Sequence, residues 1–227
     1  MDKKSVLIVG ATGLVGRQVL DVILKNDYYE EILLIGRRSV GVKDNRIKEL
    51  IIDFEKFEEY KDQISANDYY CCIGSTLKQA GSKDNFKKID FSYPLMLAQH
   101  AKEDPKFEQF LMVSSYGANA NSALFYNEIK GITEDALQQV GLKRLLIFQP
   151  SLLLGYRKDF RPFEEAAKLV SSVLSFFIIG TRMRFWAIKG SEVALAMFIL
   201  AKRNLEEGTH VFKPLQMIRL CKSLGHK

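Results

Sequence analysis

This sequence has few cysteines and no long apolar run. Three cysteines occur in 227 residues, and Cys71 and Cys72 are adjacent within an apolar stretch. An odd count with this spacing argues against a disulfide framework and indicates a reducing compartment, with the adjacent pair as small buried residues of a strand. The apolar stretch at residues 173–179 is far shorter than the ~20 residues of a membrane-spanning helix. Because no signal peptide is recognisable at its start, we expect the chain in the cytoplasm and without a membrane span.

The basic residues lack the arrangement of a nucleic-acid-binding surface. Lysine and arginine outnumber aspartate and glutamate by 33 to 27, which gives a net charge of +6. They are scattered in short pairs such as Lys87-Lys88 and do not form an arginine-rich stripe. We therefore expect no nucleic-acid partner. A phosphate-rich ligand would also favour a basic pocket.

Apolar runs and helical patterns alternate through residue 150. Strands are predicted at residues 5–9, 31–35, 47–52, 68–73, 110–113 and 145–148, and helices at 14–24, 85–103 and 124–140. Pro94 is expected to bend or interrupt the second helix. Such alternation predicts βαβ units with right-handed connections. The expected fold is therefore α/β and Rossmann-like, a doubly wound parallel sheet flanked by helices.

The pattern loosens after Pro150. A helix near residues 163–177, a short strand near 184–188 and a helix at 191–201 are predicted there. Because single cores grow to roughly 250 residues before they split, we expect one domain over residues 1–227, with a core at 1–150 and an extension at 151–227 that forms a small carboxyl-terminal cap. Aromatic residues in the extension suggest an apolar substrate lining, although core packing explains them equally well: Phe160, Phe163, Phe177, Phe185 and Trp186.

A glycine-rich loop connects the first predicted strand to the first predicted helix. Gly10 permits a tight turn out of the strand, Gly13 lets the backbone approach a pyrophosphate, and Gly16 lets the helix pack close to the sheet. The amino terminus of the helix then presents free N–H groups and a positive dipole end to phosphates. Because strand, loop and helix occur in this order, we predict a dinucleotide-binding core whose phosphate loop consists of Gly10, Ala11, Thr12, Gly13, Leu14, Val15 and Gly16.

The end of the second predicted strand bears on the choice of dinucleotide. An acidic residue there suits the ribose 2′-hydroxyl of NAD, whereas an arginine suits the 2′-phosphate of NADP. The chain has Arg37 and Arg38 at this place and no carboxylate, which favours NADP(H) over NAD(H). Asp53 follows the third strand and could bond the adenine amino group, with Phe54 beside the ring. Asp53 could equally be the N-cap of a helix that begins near Glu55.

A tyrosine and a lysine lie four residues apart on the helix predicted after the fifth strand. This spacing places Tyr126 and Lys130 on one helix face. An ammonium beside a phenol favours its ionised form, so the tyrosine can give a proton to a carbonyl oxygen or take one from an alcohol. Ser114 and Ser115 end the fifth strand, where ligands gather in this fold, and either hydroxyl could hold the substrate oxygen.

The glycine-rich loop, the arginine pair, the two serines and the tyrosine–lysine pair together match the pattern of a known family. The chain resembles the atypical short-chain dehydrogenase/reductases over nearly its whole length, and most of all the Tat-interacting oxidoreductase group and its bacterial relatives. The resemblance implies that Tyr126 is the proton donor or acceptor and that Lys130 also bonds the nicotinamide ribose. It further implies that cofactor contacts come from Ile73, Gly74, Ser75 and Thr76, and from Pro150, Leu152 and Leu153 near the nicotinamide.

The leading functional hypothesis is an NADPH-dependent oxidoreductase that acts on a small carbonyl or alcohol. An epimerase or dehydratase that uses its cofactor transiently is a second hypothesis, although the stretch after Pro150 is short for a sugar-nucleotide domain. A third is a redox sensor that binds NADP(H) and reports to a partner without turnover, since some relatives of the resembled group act as regulators. The sequence leaves the substrate and a homodimer open.

Overall fold

The computed structural model describes residues 4–154 and 187–224. A seven-stranded sheet forms its centre, with strands β1 (Lys4–Val9), β2 (Tyr29–Gly36), β3 (Ile47–Ile51), β4 (Asp68–Cys71), β5 (Gln109–Val113), β6 (Arg144–Phe148) and β9 (Gly208–Phe212), while β7 (Leu153–Leu154) and β8 (Ile188–Lys189) form a separate parallel pair. The order of strands in the sheet is β3-β2-β1-β4-β5-β6-β9, and every neighbouring pair is parallel. Because β1 lies between β2 and β4, the strand order reverses at β1, which opens a crevice at the carboxyl ends of β1 and β4.

Helices cover both faces of the sheet. They are α1 (Leu14–Leu24), α2 (Leu77–Ala80), α3 (Lys83–Lys87), α4 (Tyr93–Glu103), α5 (Phe125–Val140), α6 (Gly190–Ala201) and α7 (Pro214–Leu224), with a π-helical turn at Lys88–Ser92 and 3-10 helices at Phe54–Glu59 and Lys61–Gln63. Val6 and Ile8 of β1 pack in the cluster that contains α1 and α6, whereas Leu7 and Val9 pack in the cluster that contains α4. Burial on both faces explains why the strand is apolar at every one of these positions.

The prediction of a doubly wound parallel sheet is confirmed, and each predicted strand through residue 150 is present with shifted ends. The predicted helix at 85–103 is interrupted as Pro94 suggested, but the break is the π-helical turn and Pro94 lies in the first turn of α4. The helix at 191–201 is present as α6, one residue longer.

The carboxyl-terminal stretch contributes more to the sheet than the sequence predicted. Strand β9, which the sequence analysis missed, pairs with β6, and α7 follows it. The division at residue 150 stays a prediction. The helix near 163–177, most of the strand near 184–188 and the five aromatic residues of the suggested lining, Phe160 to Trp186, lie outside the described residues. No helix within the described ranges is long and apolar enough to cross a membrane.

A buried carboxyl group lies between β4 and β5, at the amino-terminal edge of the sheet. Asp68 is fully buried and accepts a hydrogen bond from the Tyr29 hydroxyl through Oδ2. Its register partner Gln109 donates its amide N–H to the Ala201 carbonyl at 2.8 Å, so Gln109 Oε1 is left as an acceptor beside the carboxyl. Among the described residues, Asp68 Oδ1 and Gln109 Oε1 have no hydrogen-bond partner.

We expect Asp68→Asn to stabilise the protein above pH 7 and to have little effect at pH 4. Burial raises the pKa of Asp68 to about 6, against the Tyr29 hydrogen bond and the charge of Lys4. A raised pKa in the folded state gives stability that is present at pH 4 and is lost as the pH rises through about 6. Asparagine is neutral throughout, so the variant should gain on the order of 2–3 kcal/mol over the wild type by pH 8. Thermal unfolding from pH 4 to 8 measures the difference, and a difference that does not change with pH would contradict the assignment.

Candidate functional site

The loop between β1 and α1 has the geometry of a phosphate cradle. Gly10 has a φ of +87°, and a Cβ there would lie 2.6 Å from the Cys72 carbonyl oxygen. A Cβ on Gly16 would lie 2.1 Å from the Gly10 carbonyl oxygen, so only glycine allows α1 to pack this close to the loop. No side chain caps the amino terminus of α1 at Gly13. The first-turn amides are therefore open to an anion. Phosphate binding at this loop stays a prediction.

A shallow pocket adjoins the phosphate loop at the carboxyl ends of β1, β2 and β3. Arg37 and Arg38 are exposed beyond the end of β2, and Arg38 lines the pocket together with loop residues 10–12. Glu49 of β3 lines it too, and its Oε1 accepts the Val40 N–H at 2.9 Å. No sequence signal pointed to Glu49, because an acidic ribose contact is expected at the end of β2 and not within β3. This carboxylate holds the backbone that follows the two arginines.

Asp53 and Phe54, which follow β3, both make contacts within the fold. Of the two roles that the sequence left open for Asp53, these contacts match that of a helix N-cap. Asp53 Oδ1 accepts the Glu55 N–H at 3.0 Å and is the N-cap of a 3-10 helix. Phe54 is buried in the core, and its ring stacks on Tyr93 with centroids 4.9 Å apart. The N-cap interpretation of Asp53 therefore agrees with the geometry. An adenine contact for either side chain stays a prediction.

The loop after β4 lies against the phosphate loop and against a buried ion pair. The Cys72 carbonyl closes on Gly10, and the Gly74 Cα faces Lys130 and Asp90, since a Cβ there would lie 3.7 Å from Lys130 Nζ and 3.5 Å from Asp90 Oδ1. Thr76 ends the loop as the N-cap of α2. The predicted cofactor-contacting residues Ile73, Gly74, Ser75 and Thr76 thus share the sheet edge with the glycine loop.

Tyr126 and Lys130 lie one turn apart on α5, but their surroundings differ sharply. Tyr126 is 37% exposed, and its ring packs 5.7 Å from the ring of Phe86. Lys130 is 2% exposed, and its ammonium forms an ion pair with Asp90 at 2.8 Å. Burial lowers the pKa of Lys130, but the charges of Asp90 and Tyr126 outweigh it, so the net shift of the pKa is upward. The spacing of Tyr126 and Lys130 predicted the pair, whereas no spacing rule pointed to Asp90 as the partner of Lys130.

Gly131 fixes how closely α5 approaches the loop before it. A Cβ at Gly131 would lie 2.2 Å from Ala120 N. The glycine therefore lets the helix that carries Tyr126 and Lys130 pack directly on this backbone.

The two serines at the end of β5 have different roles. Ser114 is buried and donates its hydroxyl to Glu134 of α5, which also receives the Gln149 amide N–H at 2.9 Å through Oε2. Burial raises the pKa of Glu134, against these two hydrogen bonds. Ser115 is partly exposed, and its hydroxyl has a single long contact of 3.4 Å to the Tyr116 carbonyl within the described part of the chain. Ser115 is thus the serine whose hydroxyl is available to a ligand.

The residues after β6 reach the same edge of the sheet. The Pro150 carbonyl accepts the Tyr116 N–H at 2.8 Å, which joins the loop after β6 to the loop after β5. Leu152 is 47% exposed, and Leu153 begins β7. Their predicted position near the nicotinamide is compatible with this placement. Within residues 4–154 and 187–224, no group of histidine, cysteine or acidic side chains could hold a metal ion.

We expect Ser114→Ala and Ser115→Ala to separate stability from function. Loss of the Ser114 hydroxyl leaves a buried Glu134 oxygen with one donor fewer, which should lower the free energy of unfolding by about 1–3 kcal/mol. Ser115→Ala should change it by less than about 0.5 kcal/mol. If Ser115 is the donor that the sequence predicts for the substrate oxygen, the same variant should lower turnover roughly tenfold or more. Denaturant unfolding and initial rates measure the two effects. If turnover depends on Ser114 and stability does not, the two roles are reversed.

Comparison with known proteins relates the chain to a family of NAD-dependent enzymes. The model of the NAD dependent epimerase/dehydratase family matches residues 6–133. Protein HTATIP2 of Rattus norvegicus is 35% identical over 172 residues, which cover 74% of this chain and 70% of that protein. The mitochondrial protein FMP52 of Debaryomyces hansenii is 33% identical over 208 residues, which cover 90% of each chain.

Solved structures share the fold at low sequence identity. The Bordetella bronchiseptica enzyme WbmH in complex with NAD+ superposes with a TM-score of 0.67 at 14% identity, over 93% of this chain and 76% of that one. The UDP-glucuronic acid 4-epimerase of Bacillus cereus in complex with NAD gives a TM-score of 0.65 at 14% identity, over 98% and 84% of the two chains. The expected Rossmann-like fold is thereby confirmed.

The prediction of a cytoplasmic location is wrong, as the names of similar proteins indicate. Several fungal relatives, among them those of Debaryomyces hansenii, Scheffersomyces stipitis and Candida albicans, are named as mitochondrial proteins. The prediction failed because scarce cysteines and the lack of a long apolar run do not distinguish the cytoplasm from an organelle.

Proposed function

The chain belongs to the NAD dependent epimerase/dehydratase family, and we propose that it is an oxidoreductase that binds NADP(H) at the loop of residues 10–16 and acts on a small carbonyl or alcohol. The observation that carries the proposal is the half-exposed Tyr126 one turn from the buried Lys130–Asp90 ion pair, at the same sheet edge as the uncapped start of α1. A proton-transfer group and an anion cradle that share one crevice suit a reaction on a bound dinucleotide.

The residues present fit a dinucleotide. A Cβ would fill the cradle at Gly10 and Gly16, and the helix N–H groups at Gly13 are free of a side-chain cap. When bound, the nicotinamide would supply or accept a hydride. Lys130 has three N–H donors. With one directed at Asp90, the others can bond the ribose hydroxyls that the resemblance assigns to it.

In the proposed reaction, protein groups handle the proton and the substrate oxygen. Tyr126 gives its phenolic proton to a carbonyl oxygen, or takes one from an alcohol, and its partial exposure lets a substrate reach it. Ser115 donates a hydrogen bond to the same oxygen and fixes its position. We assign the residues after Pro150 to the substrate side and residues 1–150 to the cofactor side.

The family description also supports a second candidate, an epimerase or dehydratase. Such an enzyme would use Tyr126 for the same proton transfer and would return the hydride within one catalytic cycle. The two candidates differ in cofactor consumption. An oxidoreductase oxidises one NADPH for each substrate molecule that it reduces, whereas an epimerase leaves the amount of reduced cofactor unchanged.

We expect Arg37→Ala and Arg38→Ala each to raise the Kd for NADPH about tenfold or more and to leave the Kd for NADH within about twofold. The reason is that charge-assisted hydrogen bonds to a 2′-phosphate contribute about 1.5–3 kcal/mol each, and NADH has no such phosphate. Titration followed by nicotinamide fluorescence measures both constants. Lys25→Ala removes an exposed positive charge just past the other end of α1 and controls for overall charge. Equal binding of NADPH and NADH by the wild type would contradict the preference.

A further inference from the structure

We infer that Asp90 is a positioning residue, which joins the loop after β4 to Lys130 so that cofactor binding depends on a carboxylate that does not itself contact the cofactor. The inference deepens the proposed function and rests on it. Asp90 lies in the π-helical turn before α4, outside every motif that the sequence analysis singled out.

Both oxygens of the Asp90 carboxylate hold parts of the candidate site. Oδ1 pairs with Lys130 Nζ at 2.8 Å, while Oδ2 accepts the Ser75 N–H at 2.9 Å and the Ser75 hydroxyl at 2.7 Å. The residue is fully buried. Since Ser75 belongs to the loop predicted to line the cofactor and Lys130 to the helix predicted to bond the ribose, one carboxylate fixes two cofactor-binding segments relative to each other.

The backbone around Asp90 is built for this position. Pro94 has no N–H to donate to the Asp90 carbonyl four residues earlier. The Thr133 hydroxyl of α5 lies 3.0 Å from that carbonyl oxygen and 2.7 Å from the Ile129 carbonyl oxygen, and its single proton is shared between the two acceptors. Backbone and side chain of Asp90 are therefore both tied to α5, and π-helical turns inside helices often occur at functional sites.

Asp90 also determines the charge state of Lys130. Burial alone would favour the neutral amine, whereas the carboxylate keeps the ammonium charged. Among the residues that the structure describes, the other titratable groups that face Lys130 are Tyr126 and Glu134 of α5 and Cys71 of β4. Without Asp90, Lys130 should lose its proton at a much lower pH and cease to be a full hydrogen-bond donor.

The test is the pH dependence of NADPH affinity in Asp90→Asn, measured by nicotinamide fluorescence from pH 6.5 to 9.5. We expect the Kd of the wild type to stay within about threefold over this range. The Kd of the variant should rise at least tenfold, as Lys130 deprotonates. A second variant, Asp104→Asn, removes a buried carboxyl that accepts hydrogen bonds from Ala66 N and Tyr69 away from the site. It should lower the melting temperature without changing the pH profile of the Kd.

A double-mutant cycle with Lys130→Met tests whether Asp90 acts through Lys130. Asp90→Asn should add less than about twofold to the Kd of Lys130→Met, because asparagine keeps an acceptor oxygen for Ser75 and the lysine through which the charge of Asp90 acts is already gone. The deficit in melting temperature of Asp90→Asn should be largest at pH 6.5 and shrink toward pH 9.5, since a buried lysine without a partner is costly only when charged. It should be independent of pH in the Lys130→Met background.

The outcomes separate this inference from the proposed function. A flat pH profile in Asp90→Asn, or an undiminished effect in the Lys130→Met background, overturns the positioning role while the proposed function stands. If folded wild-type protein binds no NADPH, the proposed function fails, and the positioning role fails with it even if the melting temperatures follow the expected pattern.

Discussion

Gly13→Asp is expected to abolish dinucleotide binding while the protein stays folded. Gly13 is the N-cap of α1, with φ −80° and ψ 174°, a conformation that aspartate adopts readily and an N-cap that it favours. A Cβ there would lie 3.2 Å from the Gly10 carbonyl oxygen, a close contact that a shift of a few tenths of an ångström relieves. The new carboxylate would occupy the helix amino terminus where phosphates bind and would repel them by its charge. We expect the Kd for NADPH to rise about 1,000-fold or more, the equivalent of roughly 4 kcal/mol, with little loss of melting temperature.

Gly13→Asn is the matched control for this prediction. Asparagine has nearly the same shape and also caps helices well, but it carries no charge. It should weaken binding less than aspartate does, and the difference between the two variants measures the electrostatic part of the effect. If Gly13→Asp bound NADPH as tightly as the wild type, the loop would be a structural turn.

The second large effect is expected for Tyr126→Phe, which should lower turnover about 100- to 10,000-fold. The variant removes only the phenolic hydroxyl, so the ring keeps its packing on Phe86. The Kd for NADPH should stay within about twofold, because the cradle and Lys130 are unchanged. The wild type is first screened for NADPH oxidation with a panel of small aldehydes and ketones. The rate of NADPH oxidation by the variant is then measured with each compound that the wild type reduces.

Tyr60→Phe is a suitable control for Tyr126→Phe, since Tyr60 is a partly buried tyrosine packed against the core cluster under α4. It should leave turnover unchanged. A wild type that binds NADPH tightly and reduces no compound of the panel would favour the redox-sensor hypothesis. In that case a partner that binds only in the presence of cofactor should be indifferent to Tyr126→Phe and sensitive to Gly13→Asp.

The features that the sequence predicted are those encoded locally. The loop of residues 10–16 combines a strand end, three glycines and a helix start within one continuous segment, and its geometry follows from that order. The spacing of Tyr126 and Lys130 places both on one helix face wherever that helix packs. The alternating apolar runs are long enough to predict the strand positions, because strands buried on both faces are apolar at nearly every position.

The features that the sequence did not predict depend on contacts between distant segments. Asp90 meets Lys130 and Ser75 only after the π-helical turn packs on α5, and no spacing rule joins these three residues. Glu134 receives Ser114 in the same way. The one sequence signal for Asp90 was Lys130 itself, because a charged lysine on the buried face of a predicted helix requires a partner of opposite charge. Strand β9 was missed because it is an exposed edge strand with a weak pattern, held by backbone pairing with β6.

The central claim, that the loop of residues 10–16 binds a nicotinamide dinucleotide, is tested most directly by titrating the folded 227-residue chain with NADPH. Nicotinamide fluorescence and the melting temperature are followed together. The account predicts saturable binding at one site and a melting temperature that rises with NADPH concentration, since a ligand of the folded state stabilises it. No fluorescence change and no stabilisation, in protein that unfolds cooperatively, would contradict it.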